Sequence, residues 1–283
     1  MNNKVGHKIP SINLKSFLTL ATVILFGILT IWWIVLFFIK SEYQNVIWLA
    51  SYQIVALWGG VLGLFVIGRL WGGLRSIAGR AVTCFSLGLL MQVLGQSVYD
   101  FYTIFLRVGI PYPSLADLGF FGSIPFYIYG IILLGRTSGI RFSLKSFGNR
   151  VWAVLIPVTI LLFSYLSFLW DYQVDLSDRI RIFLDFAYPM SEAIYVSIAI
   201  VVYVLSRNIL GGVMRNKILL FLGALVMQYI AEYNFLYQAL KETWTNGGYG
   251  DYIYLCAYFL MSLALVRLLD IFEQKSGDIS MNS

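Results

Sequence analysis

Eight long apolar runs limit what this chain can fold into: Phe17 to Ile39, Val46 to Ile67, Ala81 to Leu106, Leu115 to Leu134, Val151 to Trp170, Ile182 to Leu205, Ile218 to Leu240 and Tyr252 to Ile271. A transmembrane helix takes about 20 mostly apolar residues, and each run meets that length. Hydrocarbon offers no partner to backbone N–H and C=O groups, so such runs satisfy them internally as helices. The expected fold is all-α: a polytopic membrane protein with an N-terminal tail over 1–16, an eight-helix transmembrane domain over 17–272 and a C-terminal tail over 273–283. Composition points the same way. Only 12% of the 283 residues are charged, roughly half the share in a soluble domain. The first run is longer than a signal-peptide core and no small-residue cleavage site follows it, so it reads as a retained span.

Lysine and arginine gather in alternate loops, among them Arg69, Arg75 and Arg80, then Arg136, Arg141, Lys145 and Arg150. Basic loops stay in the cytoplasm, which predicts a cell-membrane protein with both termini cytoplasmic. The formal net charge of +6 then reflects contact with the lipid bilayer's anionic inner leaflet, and no nucleic-acid partner is expected. Cys84 and Cys256 fall inside runs without CxxC spacing and read as small buried residues.

The polar residues carry the remaining information. In "GIPYPSLADLGFF", Gly109 to Phe121, Pro111 and Pro113 stop the preceding helix. Ser114 with Asp117 makes an S-x-x-D variant of the capping box at the start of the next run. A similar arrangement recurs: Asp100, a loop and Asp117 are matched by Glu232, a loop and Asp251. Glutamines precede each first acid (Gln92 and Gln96; Gln228), and an aromatic follows each second acid by three positions (Phe120; Tyr254). "LDFAYPMSEAIY", Leu184 to Tyr195, reads as a divergent middle copy. The last three helical hairpins are thus expected to be parallel repeats, with Pro125 and Pro189 kinking their helices.

Asp100, Asp117, Asp185, Glu192, Glu232 and Asp251 all fall toward the external ends of their runs. Acids in spans face a bundle interior or water and are functional candidates. Asp185, Tyr188 and Glu192 form a single stripe at helical spacing, and Tyr254 sits one turn from Asp251. Two readings stay open for these eight residues. One is a structural network, with Arg107, Arg179 or Arg181 as partners; the other is an external acidic and aromatic cavity for a small cationic or polar ligand. Most of the remaining tyrosines at this level read as an interfacial belt.

No cofactor or metal is expected, because the one histidine, His7, lies in the N-terminal tail and no lysine lies mid-span. No GxSxG, HExxH or phosphate-cradling glycine loop appears in a supporting context, so no enzyme is expected; an enzyme acting on lipid-linked substrates is the weakest alternative.

The segments "YDFYTIFLRVGIPYPSLADLGFFGSIPFYIYG", "LDFAYPMSE" and "IAEYNFLYQALKETWTNGGYGDYIYLCAYFLMSLAL" resemble the multi-pass N-terminal membrane regions of bacterial diguanylate cyclases, cyclic-di-GMP phosphodiesterases and histidine kinases. Pro113, Ser114, Ala116 and Asp117 match the turn of that pattern, Tyr188-Pro189 the middle element, and Gly248 with Asp251 the last. Ile124-Pro125 departs from the usual Tyr-Pro, and Glu192 stands in place of an aspartate. The resemblance implies a bacterial inner-membrane, sensor-like module in signal transduction, here without a catalytic output domain and acting through a cytoplasmic signalling protein. A transporter or channel for a cation or small solute is the alternative, motivated by the intramembrane acids and internal prolines.

Overall fold

The computed structural model describes residues 14–39, 42–137, 147–166, 178–206, 212–241 and 243–269. Among these, all regular structure is helical. In chain order the α-helices are α1 (Leu14–Ile39), α2 (Glu42–Tyr52), α3 (Ile54–Leu62), α4 (Gly68–Leu70), α5 (Ile77–Asp100), α6 (Ala116–Thr137), α7 (Phe147–Ser164), α8 (Arg179–Ser206), α9 (Gly212–Leu240) and α10 (Tyr249–Arg267). Single π-helical turns continue α3 over Gly63–Ile67 and α5 over Phe101–Leu106.

Seven helical stretches are long and apolar enough to cross a membrane: Leu14–Ile39, Gln44–Leu70, Ile77–Leu106, Ala116–Thr137, Arg179–Val204, Asn216–Ala239 and Tyr249–Arg267. The chain is a membrane-embedded helical protein. The fifth expected span, Val151 to Trp170, corresponds to α7, whose apolar part Val154–Phe163 is shorter; residues 167–170 lie outside the described residues, as do 1–13 of the N-terminal tail, 270–272 at the end of the expected transmembrane domain and the whole C-terminal tail, 273–283.

Small residues let the central helices approach. A Cβ on Gly119 of α6 would collide with the Gly95 backbone of α5 and stand 2.6 Å from the Met91 carbonyl oxygen, so only glycine permits this crossing. Around it the core is aromatic. Phe85 and Phe221 lie 4.4 Å apart between ring centroids, and Tyr52 stacks on Tyr258 at 5.9 Å. Indole donors fasten the first hairpin: Trp48 Nε1 donates to the Leu29 carbonyl at 2.9 Å, and Trp58 Nε1 to Thr22 Oγ1 at 3.0 Å. Cys84 is buried and Cys256 half-buried, and both are free thiols.

One face of α1 packs on the bundle through Leu18, Leu29 and Leu36, while its other apolar side chains face outward, with Phe37 and Phe38 among the most exposed. In lipid that outward face needs no protein partner. The tyrosines expected in a belt divide instead. Tyr129 is exposed, whereas Tyr127 and Tyr258 are buried in the core, where each phenol has aromatic or polar neighbours inside the bundle.

Candidate functional site

Five helix ends meet at one end of the bundle: the C-terminal ends of α5 and α9 and the N-terminal ends of α6, α8 and α10. The turns over 107–115 and 243–248 close this end. Each turn is set by local chemistry. Arg107 takes a left-handed conformation, φ 54°, and ends the π-helical turn after α5. Ser114 N–H donates to Asp117 Oδ2 at 2.7 Å, and Ala116 N–H donates to Ser114 Oγ at 3.2 Å, which is the reciprocal cap read from the sequence. In the second turn Gly247 has φ 71°, a conformation that costs a side-chain-bearing residue. Its N–H donates to Asp251 Oδ2 at 2.7 Å, and its carbonyl accepts from Trp33 Nε1 at 3.1 Å.

Between these ends lies a cavity of about 550 Å³. Six of the eight candidate residues line it: Asp117, Asp185, Tyr188, Glu232, Asp251 and Tyr254. The four acids arrive on four different helices, α6, α8, α9 and α10. Aromatic surface from Tyr52, Tyr99, Tyr112, Phe120, Phe235 and Trp244 fills much of the remaining wall.

Tyrosine hydroxyls hold three of the carboxylates. Tyr188 donates to Asp117 Oδ1 at 2.8 Å, Tyr112 to Asp185 Oδ1 at 2.8 Å, and Tyr254 to Glu232 Oε2 at 2.7 Å. Gln228 Nε2 supplies a second donor to Glu232 at 2.9 Å. The first two bonds run in opposite directions between α8 and the α6 end, so they clasp these elements together. Arg181 brings the one cationic side chain of the wall among the described residues. Its Nε stands 3.9 Å from Asp185 Oδ2, and its guanidinium carbon lies 5.8 Å from the Tyr112 ring centroid.

The other two candidate residues are elsewhere. Asp100 is buried beside the cavity without lining it, and accepts from Gln53 Nε2 at 2.6 Å and Gln96 Nε2 at 2.9 Å. Glu192, only 2% exposed, lies two helical turns below Asp185 and is also outside the lining. The stripe Asp185, Tyr188, Glu192 therefore shares one inward face, but only its upper two residues reach the cavity.

Several residues of the site are not legible from the apolar pattern. Tyr52 and Gln53 sit mid-run, where a phenol followed by an amide is itself an intramembrane polar signal. Tyr52 OH donates to Gln96 Oε1 at 2.9 Å, while Tyr99 and Trp244 join through a 3.2 Å bond from the indole to the phenol oxygen. Tyr112 lies in the proline turn, and only the approach of α8 gives it a carboxylate partner.

Fold and cavity together define a membrane-embedded helical bundle with a polar, acid-lined pocket at one end. Comparison with protein-family models, curated proteins and solved structures finds no match to this chain.

Proposed function

We propose that this protein is a sensor-like or interaction module of the bacterial cell membrane. Its external cavity takes up a small polar or cationic ligand, and helix movement passes the event to a cytoplasmic signalling partner. The observation that carries this reading is the 550 Å³ cavity with four acids from four helices. Pockets of this size with few convergent polar groups are typical small-ligand sites. The Tyr188–Asp117 and Tyr112–Asp185 clasp supports the transmission step, because a ligand that competes for either carboxylate alters how α8 is held against α6.

In this reading 147–166 belongs to an eighth span, both termini are cytoplasmic and the last three hairpins descend from a repeated unit. Cysteines introduced at Ser177 and Ser276 are expected to label from opposite sides of the membrane; labelling from the same side overturns the topology. The ligand reading is tested by thermal unfolding of the full chain in lipid nanodiscs against sugars, amino acids, amines and inorganic cations. At least one class is expected to raise the melting temperature, and the absence of any shift rejects the cavity as a binding site. The transporter alternative rests on Glu192, a buried acid below the cavity with no hydrogen bond among the described residues. Accumulation of the stabilising solute in proteoliposomes would favour it over the sensor.

A further inference from the structure

We infer that the cavity's ligand is a protonated organic amine, an ammonium group carried on a carbon skeleton, bound among the acids Asp117, Asp185 and Glu232. The inference rests on the cavity being a binding site and narrows what enters it.

The first argument is a hydrogen-bond inventory. The protons of the polar aromatic residues in the wall are already committed: Tyr188 to Asp117, Tyr254 to Glu232, Tyr112 to Asp185 and Tyr52 to Gln96. Tyr99 OH donates to Asn246 Oδ1 at 2.7 Å, and Trp244 Nε1 to the Tyr99 oxygen. One N–H of the Gln96 amide goes to Asp100. Among the described side chains of the wall the donors that remain are Ser114, Arg181 and the second N–H of Gln96; the other polar groups offer a ligand acceptors, since each ionised carboxylate has about four lone-pair sites and a phenol oxygen two. A ligand suited to such a wall brings its own N–H donors.

The second argument concerns charge. Among the described residues four acids and one arginine line the cavity, so an anion meets repulsion and a cation attraction. Among the described residues no three Asp, Glu, His or Cys side chains are grouped as metal ligands, so they form no three-ligand side-chain cage of the zinc type. The acids instead meet the cavity singly, with aromatic surface between them.

The third argument is a cation already in place. Arg181, its side chain 55% exposed at the rim, stands near both the Tyr112 ring and the Asp185 carboxylate, one aromatic face and one acid. Aromatic faces attract desolvated organic cations through the ring quadrupole. The wall formed by Phe120, Tyr188, Phe235 and Trp244 beside Asp117 and Glu232 repeats this chemistry with no side-chain cation among its own residues.

The test is thermal unfolding of the full chain in nanodiscs with butylamine, 1,4-diaminobutane, phenethylamine, tetramethylammonium, sodium, magnesium, sorbitol and acetate. Primary amines at saturation are expected to raise the melting temperature by about 3–5 °C, and tetramethylammonium, which has no N–H, less. Asp185→Asn should weaken the amine response at least tenfold. Ala239→Trp, which places an indole in the cavity wall without touching the hydrogen-bond network, should abolish it. An amine shift that survives Ala239→Trp unchanged overturns the assignment to this cavity. A shift with sorbitol, metal ions or acetate but not amines overturns the amine class and leaves the binding cavity standing, whereas no shift with any compound removes both.

Discussion

The α5–α6 and α9–α10 hairpins carry the same polar pattern and put it to different use. In each, a glutamine one turn earlier donates to the first acid, Gln96 to Asp100 and Gln228 to Glu232, both at 2.9 Å. In each, the second acid accepts a backbone N–H from the turn before its helix, Ser114 for Asp117 and Gly247 for Asp251. The difference lies three residues further on. Tyr254 crosses its own hairpin to Glu232, and Glu232 becomes part of the cavity wall. Phe120 has no hydroxyl to offer, and its ring packs on Gly95, where an added Cβ would stand 2.7 Å from it. Asp100 takes its second donor from Gln53, outside the hairpin, and does not line the cavity. A single phenolic oxygen therefore accompanies the divergence between a cavity acid and an enclosed one.

Two helix glycines of these hairpins differ in the space around them. Gly119 leaves no room for a side chain against Gly95, whereas Gly223 of α9 has nothing within 4 Å of its Cβ direction. The largest expected effect follows: Gly119→Val should cost on the order of 3 kcal/mol or prevent folding, since it overpacks a closed contact. Gly223→Ala should change stability by less than about 1 kcal/mol, with a sign favouring alanine through helix propensity. Thermal unfolding of both variants in detergent checks the contrast, and equal losses would erase it.

Next in size are the donors to the first acids. Tyr254→Phe and Gln53→Leu each leave a buried carboxyl group short of one hydrogen bond, at a cost of about 1–3 kcal/mol. Tyr254→Phe should couple to Glu232→Gln by about 0.5–3 kcal/mol in a double-mutant cycle and be additive with Gln53→Leu, which serves a different acid. Strong coupling between Tyr254 and Gln53 would mean that the two hairpins share one network.

The smallest effects concern the second acids. Asp117→Ala and Asp251→Ala remove helix-start bonds worth about 0.5–2 kcal/mol. Asp117→Ala belongs at the upper end, because Tyr188 loses its acceptor too. If Asp251→Ala proves the more damaging by thermal unfolding, the Gly247 turn is held by Asp251 more strongly than the proline turn is by Asp117.

By itself the sequence determined the helical class, the positions of seven long spans and the proline turn with its Ser114–Asp117 cap. These are local or compositional properties: span length is set by bilayer thickness, and a cap is made between residues three apart. It also singled out the acids, because charge inside an apolar run needs compensation wherever the helix packs. Only the tertiary structure decided which acids share a space. Tyr112 reaches Asp185 across 73 residues and Tyr188 reaches Asp117 across 71, and no periodicity encodes such pairings. Asp100 and Asp117 follow alike from the pattern, yet Gln53 encloses one while α8 brings the other to the cavity. Helix spacing fixes the face on which a side chain stands, but its neighbours come from other helices, and glycine contacts such as Gly95 with Gly119 determine how closely those helices approach.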